Sequence, residues 1–132
     1  MKNKALHILF SSLEDLANEV KRAMHDKNPS KFAGKEIRFE SYASFMSFMF
    51  PHKFSLLVAI KTEQPKSIYQ LAKQIDRQQN AVLRECDELE AFGFIKYKTG
   101  ERNAKIPLLA FDYDTIVVHD QRGFQMHQLP AA

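Results

Sequence analysis

The sequence predicts a mainly α fold with a small β-sheet, a winged helix-turn-helix with an added long N-terminal helix. Three observations carry this expectation. Between Ser67 and Phe94 the segment SIYQLAKQIDRQQNAVLRECDELEAFGF reads as two short amphipathic helices across a tight turn. A basic strand–turn–strand pattern follows it directly, and helical periodicity recurs near the N-terminus. Helix, turn, helix and hairpin in that order are used mainly to set one helix into the DNA major groove.

The first element is a helix from Asn3 to about Asp26. Leu6, Leu9, Leu13, Leu16, Val20 and Ala23 recur at alternating spacings of three and four, which makes a narrow seam for a partner helix. That seam is the expected dimer contact. Lys27-Asn28-Pro29-Ser30 ends the helix, because proline and the residue before it disfavour its continuation. The expected domains are therefore an N-terminal helix and linker over 1–33, a winged helix-turn-helix domain over 34–122 and a flexible tail over 123–132.

Glu36-Ile37-Arg38-Phe39-Glu40 alternates polar and apolar residues, as a short half-buried strand does. Ser41 suits the N-cap of the next helix, where Tyr42, Phe45, Met46, Met49 and Phe50 share one face. Pro51 suits the first turn of a further helix. Phe54, Leu57 and Val58 line one side of it while Leu56 and Ile60 lie elsewhere around it, so it is central to the core.

The helix-turn-helix has both ends of both helices marked. Ser67 with Gln70 forms a capping box, and Ile68, Leu71, Ala72 and Ile75 make one apolar face. Asp76 with Gln79 repeats the box and starts the second helix, which buries Val82, Cys86 and Leu89, carries Phe92 near its end and finishes at Gly93. Phe94 to Lys98 alternates, Thr99 to Asn103 is a turn, and Ala104 to Phe111 returns as the second strand of a wing. Thr115 to His119 is a β-branched strand that pairs with the hairpin or with Ile37–Phe39. Beyond Gly123 the chain reads as a polar, frayed end.

Charge narrows the function. Nineteen basic against sixteen acidic residues leave only +3, so a nucleic-acid surface requires local segregation of charge. The second helix of the pair supplies it. Arg77, Gln78, Gln79, Asn80, Ala81 and Arg84 occupy its start, and Glu85, Asp87, Glu88 and Glu90 come later. Arginine pairs bidentately with guanine, asparagine and glutamine pair with adenine, and alanine leaves room for a thymine methyl. Ser67 at the head of the first helix is a further DNA-binding candidate, and Lys96, Lys98, Arg102 and Lys105 in the wing are placed to meet phosphates or the minor groove.

Other chemistries lack their residues. His7, His25, His52, His119 and His127 are scattered without ligand spacing; His119 and His127 could meet, but a zinc site would need further ligands. Cys86 is the one cysteine; it excludes an internal disulfide and fits a reducing, cytoplasmic compartment. No serine sits in a nucleophile elbow and no glycine loop cradles phosphate. No apolar run approaches the roughly 20 residues that span a bilayer. The expectation is a soluble protein that is not an enzyme and holds no cofactor and no metal.

The segment SIYQLAKQIDRQQNAVLRECDELEAFGFI, with KIPLLAFDYDTIVV after it, resembles the winged-helix transcriptional regulators of prokaryotes, broadly the MarR-like group. It is most similar to a small predicted-regulator family related to haloarchaeal DNA-binding proteins. The resemblance covers roughly Phe39 to Val118 and includes a bulky residue at Val82, an arginine at Arg84 and the ending Leu89-Glu90-Ala91-Phe92-Gly93. Where that family often has glycine or arginine after the first helix, this chain has Asp76-Arg77-Gln78, so no base preference carries over.

The function expected is a sequence-specific DNA-binding transcriptional regulator, a repressor acting as a homodimer on double-stranded DNA at a palindromic operator. Three alternatives stand beside it. One is an antitoxin that autoregulates its operon and grips a toxin protein, since the resemblance implies such partners and Leu129-Pro130-Ala131-Ala132 is similar to a degradation tag. Another is a winged helix used only for protein association. The last is a ligand-responsive repressor with a pocket near Phe45, Met46 and Met49.

Overall fold

The computed structural model describes residues 4–10, 36–120 and 123–130. Among them, the strands are Ala5–Phe10 (β1), Glu36–Phe39 (β2), Ile95–Thr99 (β3), Lys105–Leu109 (β4), Thr115–Asp120 (β5) and Gly123–Gln128 (β6). The helices are Tyr42–Met49 (α1), His52–Glu63 (α2), Ile68–Gln74 (α3) and Gln79–Phe92 (α4), and a 3-10 turn at Glu101–Asn103 lies between β3 and β4. These elements divide into two units, Met1–Phe48 with Thr115–Gln128 and Met49–Asp114 with Leu129–Ala132.

The first unit is built on a sheet in the order β2-β1-β5-β6. β1 runs parallel to both neighbours, and β5 and β6 form an antiparallel pair. Register puts Leu6 beside Ile116, Ile8 beside both Ile37 and Val118, and Phe10 beside Phe39. Side chains two apart share a face, so these residues make one apolar surface. Ser41 caps α1 by accepting the Ser44 N–H at 3.1 Å. Phe45 on α1 meets this surface, edge-on to Phe39 at 5.3 Å and to Phe10 at 6.4 Å. Ala5, His7, Leu9, Glu36, Arg38, Val117 and His119 lie on the other face.

The sheet overturns the expected fold class. A mainly α chain with a small β-sheet and a long N-terminal helix is replaced by an α+β arrangement, in which β1 occupies the start of the expected helix. Ala5-Leu6-His7-Ile8-Leu9-Phe10 is almost continuously apolar, so a period of two fits it as well as a period of three and four. Nearly unbroken apolar runs belong to parallel strands buried on both faces. Leu6 is accordingly 2% exposed within its own sheet, and Leu9 is half-buried. Leu13, Leu16 and Val20, the rest of the expected dimer seam, lie outside the described residues. The flexible tail expected over 123–132 is corrected too, because β6 pairs with β5 along its whole length and Leu129 is buried. β5 pairs with β1 and β6 rather than with the hairpin or with β2.

The second unit packs α2, α3 and α4 with the β3–β4 hairpin. Leu56, Leu57, Leu71, Val82, Cys86, Leu89, Phe94 and Tyr113 are fully buried in it. Ser67 caps α3 by accepting the Gln70 N–H at 2.9 Å, while Gln70 Oε1 accepts from Lys66 N–H at 2.6 Å. The expected second capping box does not form. Asp76 instead takes a left-handed φ of 54°. Its N–H donates to Lys73 O at 3.3 Å, and the Arg77 N–H donates to Ala72 O at 2.9 Å. This pair of bonds is the Schellman stop, so Asp76 ends α3 and α4 starts only at Gln79. Gly93 closes α4 in the same way, its N–H donating to Glu90 O and that of Phe94 to Leu89 O.

A single carbonyl joins the end of α4 to the returning chain. Phe94 O accepts the Ala110 N–H at 3.1 Å and the buried Tyr113 hydroxyl at 2.9 Å. Lys61 Nζ donates to Tyr113 O at 3.3 Å. Burial holds the Tyr113 hydroxyl well above the ordinary range of a phenol, so it stays a donor. Tyr113→Phe is expected to cost about 1 kcal/mol, the usual net worth of a neutral hydrogen bond. Urea unfolding measures this, and a midpoint equal to that of the parent chain would refute it.

Candidate nucleic-acid interface

The outer side of α4 and the β3–β4 hairpin, both within the second unit, form the candidate surface. α4 buries Val82, Cys86 and Leu89, spaced at helical intervals, and this fixes which side chains face out. Gln78, Gln79, Asn80 and Arg84 are exposed, and Ala81 is half-buried. Asn80 and Arg84 are one turn apart and lie on one stripe. Arg84 makes no ion pair among the described residues. Ser67 is half-buried, and its hydroxyl is engaged as the cap of α3.

Arg77 is placed differently from its neighbours in the expected reading set. Its guanidinium forks onto the Glu85 carboxylate, with Nη1 3.1 Å from Oε1 and Nη2 2.5 Å from Oε2. Glu85 is only 7% exposed and is the one buried charged residue among those described. The hydrogen bonds from Arg77 hold the Glu85 carboxyl below its usual range, although burial pushes the other way. The same hydrogen bonds raise the guanidinium of Arg77. The pair ties the turn before α4 to the second turn of that helix, and it takes the arginine nearest the helix start out of the exposed set.

Farther along α4, Asp87 accepts the Tyr97 hydroxyl at 2.7 Å, which connects the helix to β3. Burial and this bond raise the Tyr97 hydroxyl above its ordinary range. Tyr97 lies opposite Pro107 and Thr99 opposite Lys105 in the hairpin, so all four side chains share a face. Lys105 Nζ accordingly sits 4.8 Å from the centre of the Tyr97 ring, a cation–π contact. Lys96 and Lys98 are exposed on the opposite face. Arg102 is exposed at the tip with a left-handed φ of 56°. The wing cations are thus divided: Lys105 on the Tyr97 side, Lys96 and Lys98 away from it, Arg102 at the tip.

A model of the HVO_A0114 family matches residues 49–118, more than half of the chain. The chain belongs to the HVO_A0114 family. The likeness to haloarchaeal proteins read from the sequence agrees with this at the level of the family. Comparison with curated proteins yields no match, and comparison with solved structures yields none. The HVO_A0114 match runs through α2, α3, α4 and the hairpin into β5, so it contains all the side chains of this surface. Leu6 and Leu9 fall outside it.

Sequence reasoning missed three contributors in this HVO_A0114 segment: Glu85, Asp87 and Tyr97. Glu85 follows Arg77 by eight residues, a spacing with no helical meaning until the left-handed turn at Asp76 brings the two together. A further pair appears in the first unit, where His7 Nδ1 and His119 Nε2 are 2.8 Å apart. Burial and repulsion from His119 hold His7 below its ordinary value, with Glu36 opposing. Among the described residues, no group of three or more histidine, cysteine, aspartate and glutamate side chains could hold a metal ion. Burial pushes the Cys86 thiol up to about 12, which keeps it protonated and unreactive. Among the described residues, no single helix is long and apolar enough to cross a membrane.

Arg77→Ala is expected to cost about 2 kcal/mol, because it strands a nearly buried carboxylate while Arg77 itself keeps some contact with solvent. Replacing both partners, Arg77→Met with Glu85→Leu, should recover most of that loss. The pH dependence has a definite sign. Glu85 is held below its unfolded value, so its contribution is complete above the ordinary glutamate range and is lost as pH falls through the folded value. Glu85→Gln should therefore flatten the acid side of the stability profile measured by denaturant unfolding, and an unchanged acid limb would refute the pairing.

Proposed function

We propose that this chain is a sequence-specific DNA-binding transcriptional regulator of MarR-like type, acting as a homodimeric repressor on a palindromic operator. The observation that carries the reading is the exposed row Gln78, Gln79, Asn80 and Arg84 at the start of α4, next to a hairpin with exposed basic side chains. Amides and a guanidinium are the groups that read adenine and guanine edges in the major groove. The same helix start offers free backbone N–H groups and the positive end of its dipole to a phosphate.

Roles follow from exposure. Gln78, Gln79, Asn80 and Arg84 read bases, with Ala81 allowing close approach. Arg77 acts through Glu85 as a positioning residue. Lys96, Lys98, Arg102 and Lys105 fix the register through phosphates, and Tyr97 holds the hairpin against α4 through Asp87. The acids Asp87, Glu88 and Glu90 lie in the later turns, away from the end that enters the groove. A dimer then spaces two α4 helices by about one turn of DNA, roughly 34 Å.

Fluorescence anisotropy with the upstream DNA of the chain's own gene, against scrambled DNA, tests the reading. Specific binding should weaken steeply with salt, with a log–log slope near 0.9 per phosphate contact. Arg84→Ala should cost roughly 1–3 kcal/mol on the specific sequence and far less on the scrambled one. Lys98→Ala should weaken both alike and lower the salt slope by about 1. Binding that ignores sequence and vanishes at physiological salt would reject the proposal in favour of a helix-turn-helix kept for protein association.

A further inference from the structure

Among the described residues, the sheet of the first unit ends in β2 on one side and β6 on the other. An exposed sheet edge offers a row of backbone donors and acceptors, and proteins blunt such edges with short strands, charge or proline. β2 is blunted. It has four residues, two of them Glu36 and Arg38, which are joined as an ion pair at 3.5 Å. β6 is not. Its six residues, Gly-Phe-Gln-Met-His-Gln, include no lysine, arginine, aspartate or glutamate, and Pro130 comes only after the strand. Among the described residues, no strand pairs with its outer side.

The strand is also well held from within. It pairs with β5 from Thr115 opposite Gln128 to Asp120 opposite Gly123. Tyr42 on α1 donates to Gln125 Oε1 at 3.3 Å. Met126, near the middle, is 63% exposed and is the most exposed large apolar side chain among the described residues. The edge is thus ordered before any partner arrives, which lowers the entropy cost of pairing.

We propose that β6 is the surface through which two copies of this chain join, its outer edge pairing antiparallel with β6 of the second copy about a two-fold axis. The two four-stranded sheets then become one continuous sheet. A second copy fits this edge better than an unlike partner for two reasons. Identical antiparallel strands related by a two-fold axis match each donor to an acceptor without any further design. A strand meant for a charged partner would carry complementary charge, and β6 carries none, which also spares it like-charge repulsion against itself. The proposal names the dimer surface for the regulator described above and rests on that reading only for its purpose, because self-association is measured without DNA.

Sedimentation equilibrium of the full chain, with Met126→Lys and Met126→Glu beside it, makes the test. The parent chain should sediment at twice its 15.3 kDa mass. Each variant should dimerise at least tenfold more weakly, since like charges then face each other across the axis, and an equal mixture of the two should regain the dimer. Circular dichroism checks that the variants stay folded. Hydrogen exchange on the parent chain gives a second measure, in which β6 amides should exchange more slowly as protein concentration rises. A monomeric parent chain, variants that dimerise as tightly as the parent, or β6 exchange independent of concentration would each overturn the proposal. DNA binding is scored separately. A β6-dependent dimer that ignores DNA keeps this proposal and removes the regulator, while specific DNA binding by a dimer indifferent to Met126 does the reverse.

Discussion

A carboxylate removed from water must be paired, and in this chain Glu85 is that carboxylate. Its position on the inner side of α4 obliges a cation to reach it, and the cation comes from the turn just before the helix. Arg77 can reach it only because Asp76 adopts a left-handed conformation, which stops α3 and turns the chain back. The charge pair and the turn are therefore one device. It sets where α4 begins, and it decides that Gln78, Gln79, Asn80 and Arg84, rather than Arg77, are the side chains that face outward.

The other end of α4 is governed by hydrogen-bond satisfaction. Gly93 lets the chain reverse, and the carbonyl of Phe94 then receives both a backbone N–H and the hydroxyl of a fully buried tyrosine. A buried hydroxyl without a partner would cost more than the bond contributes, so Tyr113 and Phe94 constrain each other. Asp87 and Tyr97 add a contact outside this core, which fixes the hairpin to the helix on the side where Lys105 stacks on the tyrosine ring. The candidate surface is thus held at both ends by groups that are not themselves on it.

The first unit follows a different logic. Of its two inner strands, β1 is parallel to both neighbours and apolar on nearly every residue, so its pattern carries little information about which face is which. Its two edges, one short and charged and the other longer and uncharged, are what distinguish it as a surface.

Much of the second unit was legible in the sequence. α3 with its Ser67 cap, the body of α4, the glycine stop and the hairpin lie where periodicity, caps and turn residues put them, because each is decided by neighbours within one or two turns. The start of α4 does not, since Asp76 ends α3 instead of capping α4. The sequence by itself determined these local elements and the membership of the chain in the HVO_A0114 family. It did not determine β1, since a six-residue apolar run satisfies a helix and a strand equally and only its partners choose between them. It read residues beyond Gly123 as a frayed end because β6 has no strong alternation, and its order comes from pairing with β5. It also could not separate Arg77 from Arg84. Both are arginines on the same segment, and only the tertiary structure, by burying Glu85 within reach of one of them, decided which is structural and which faces solvent.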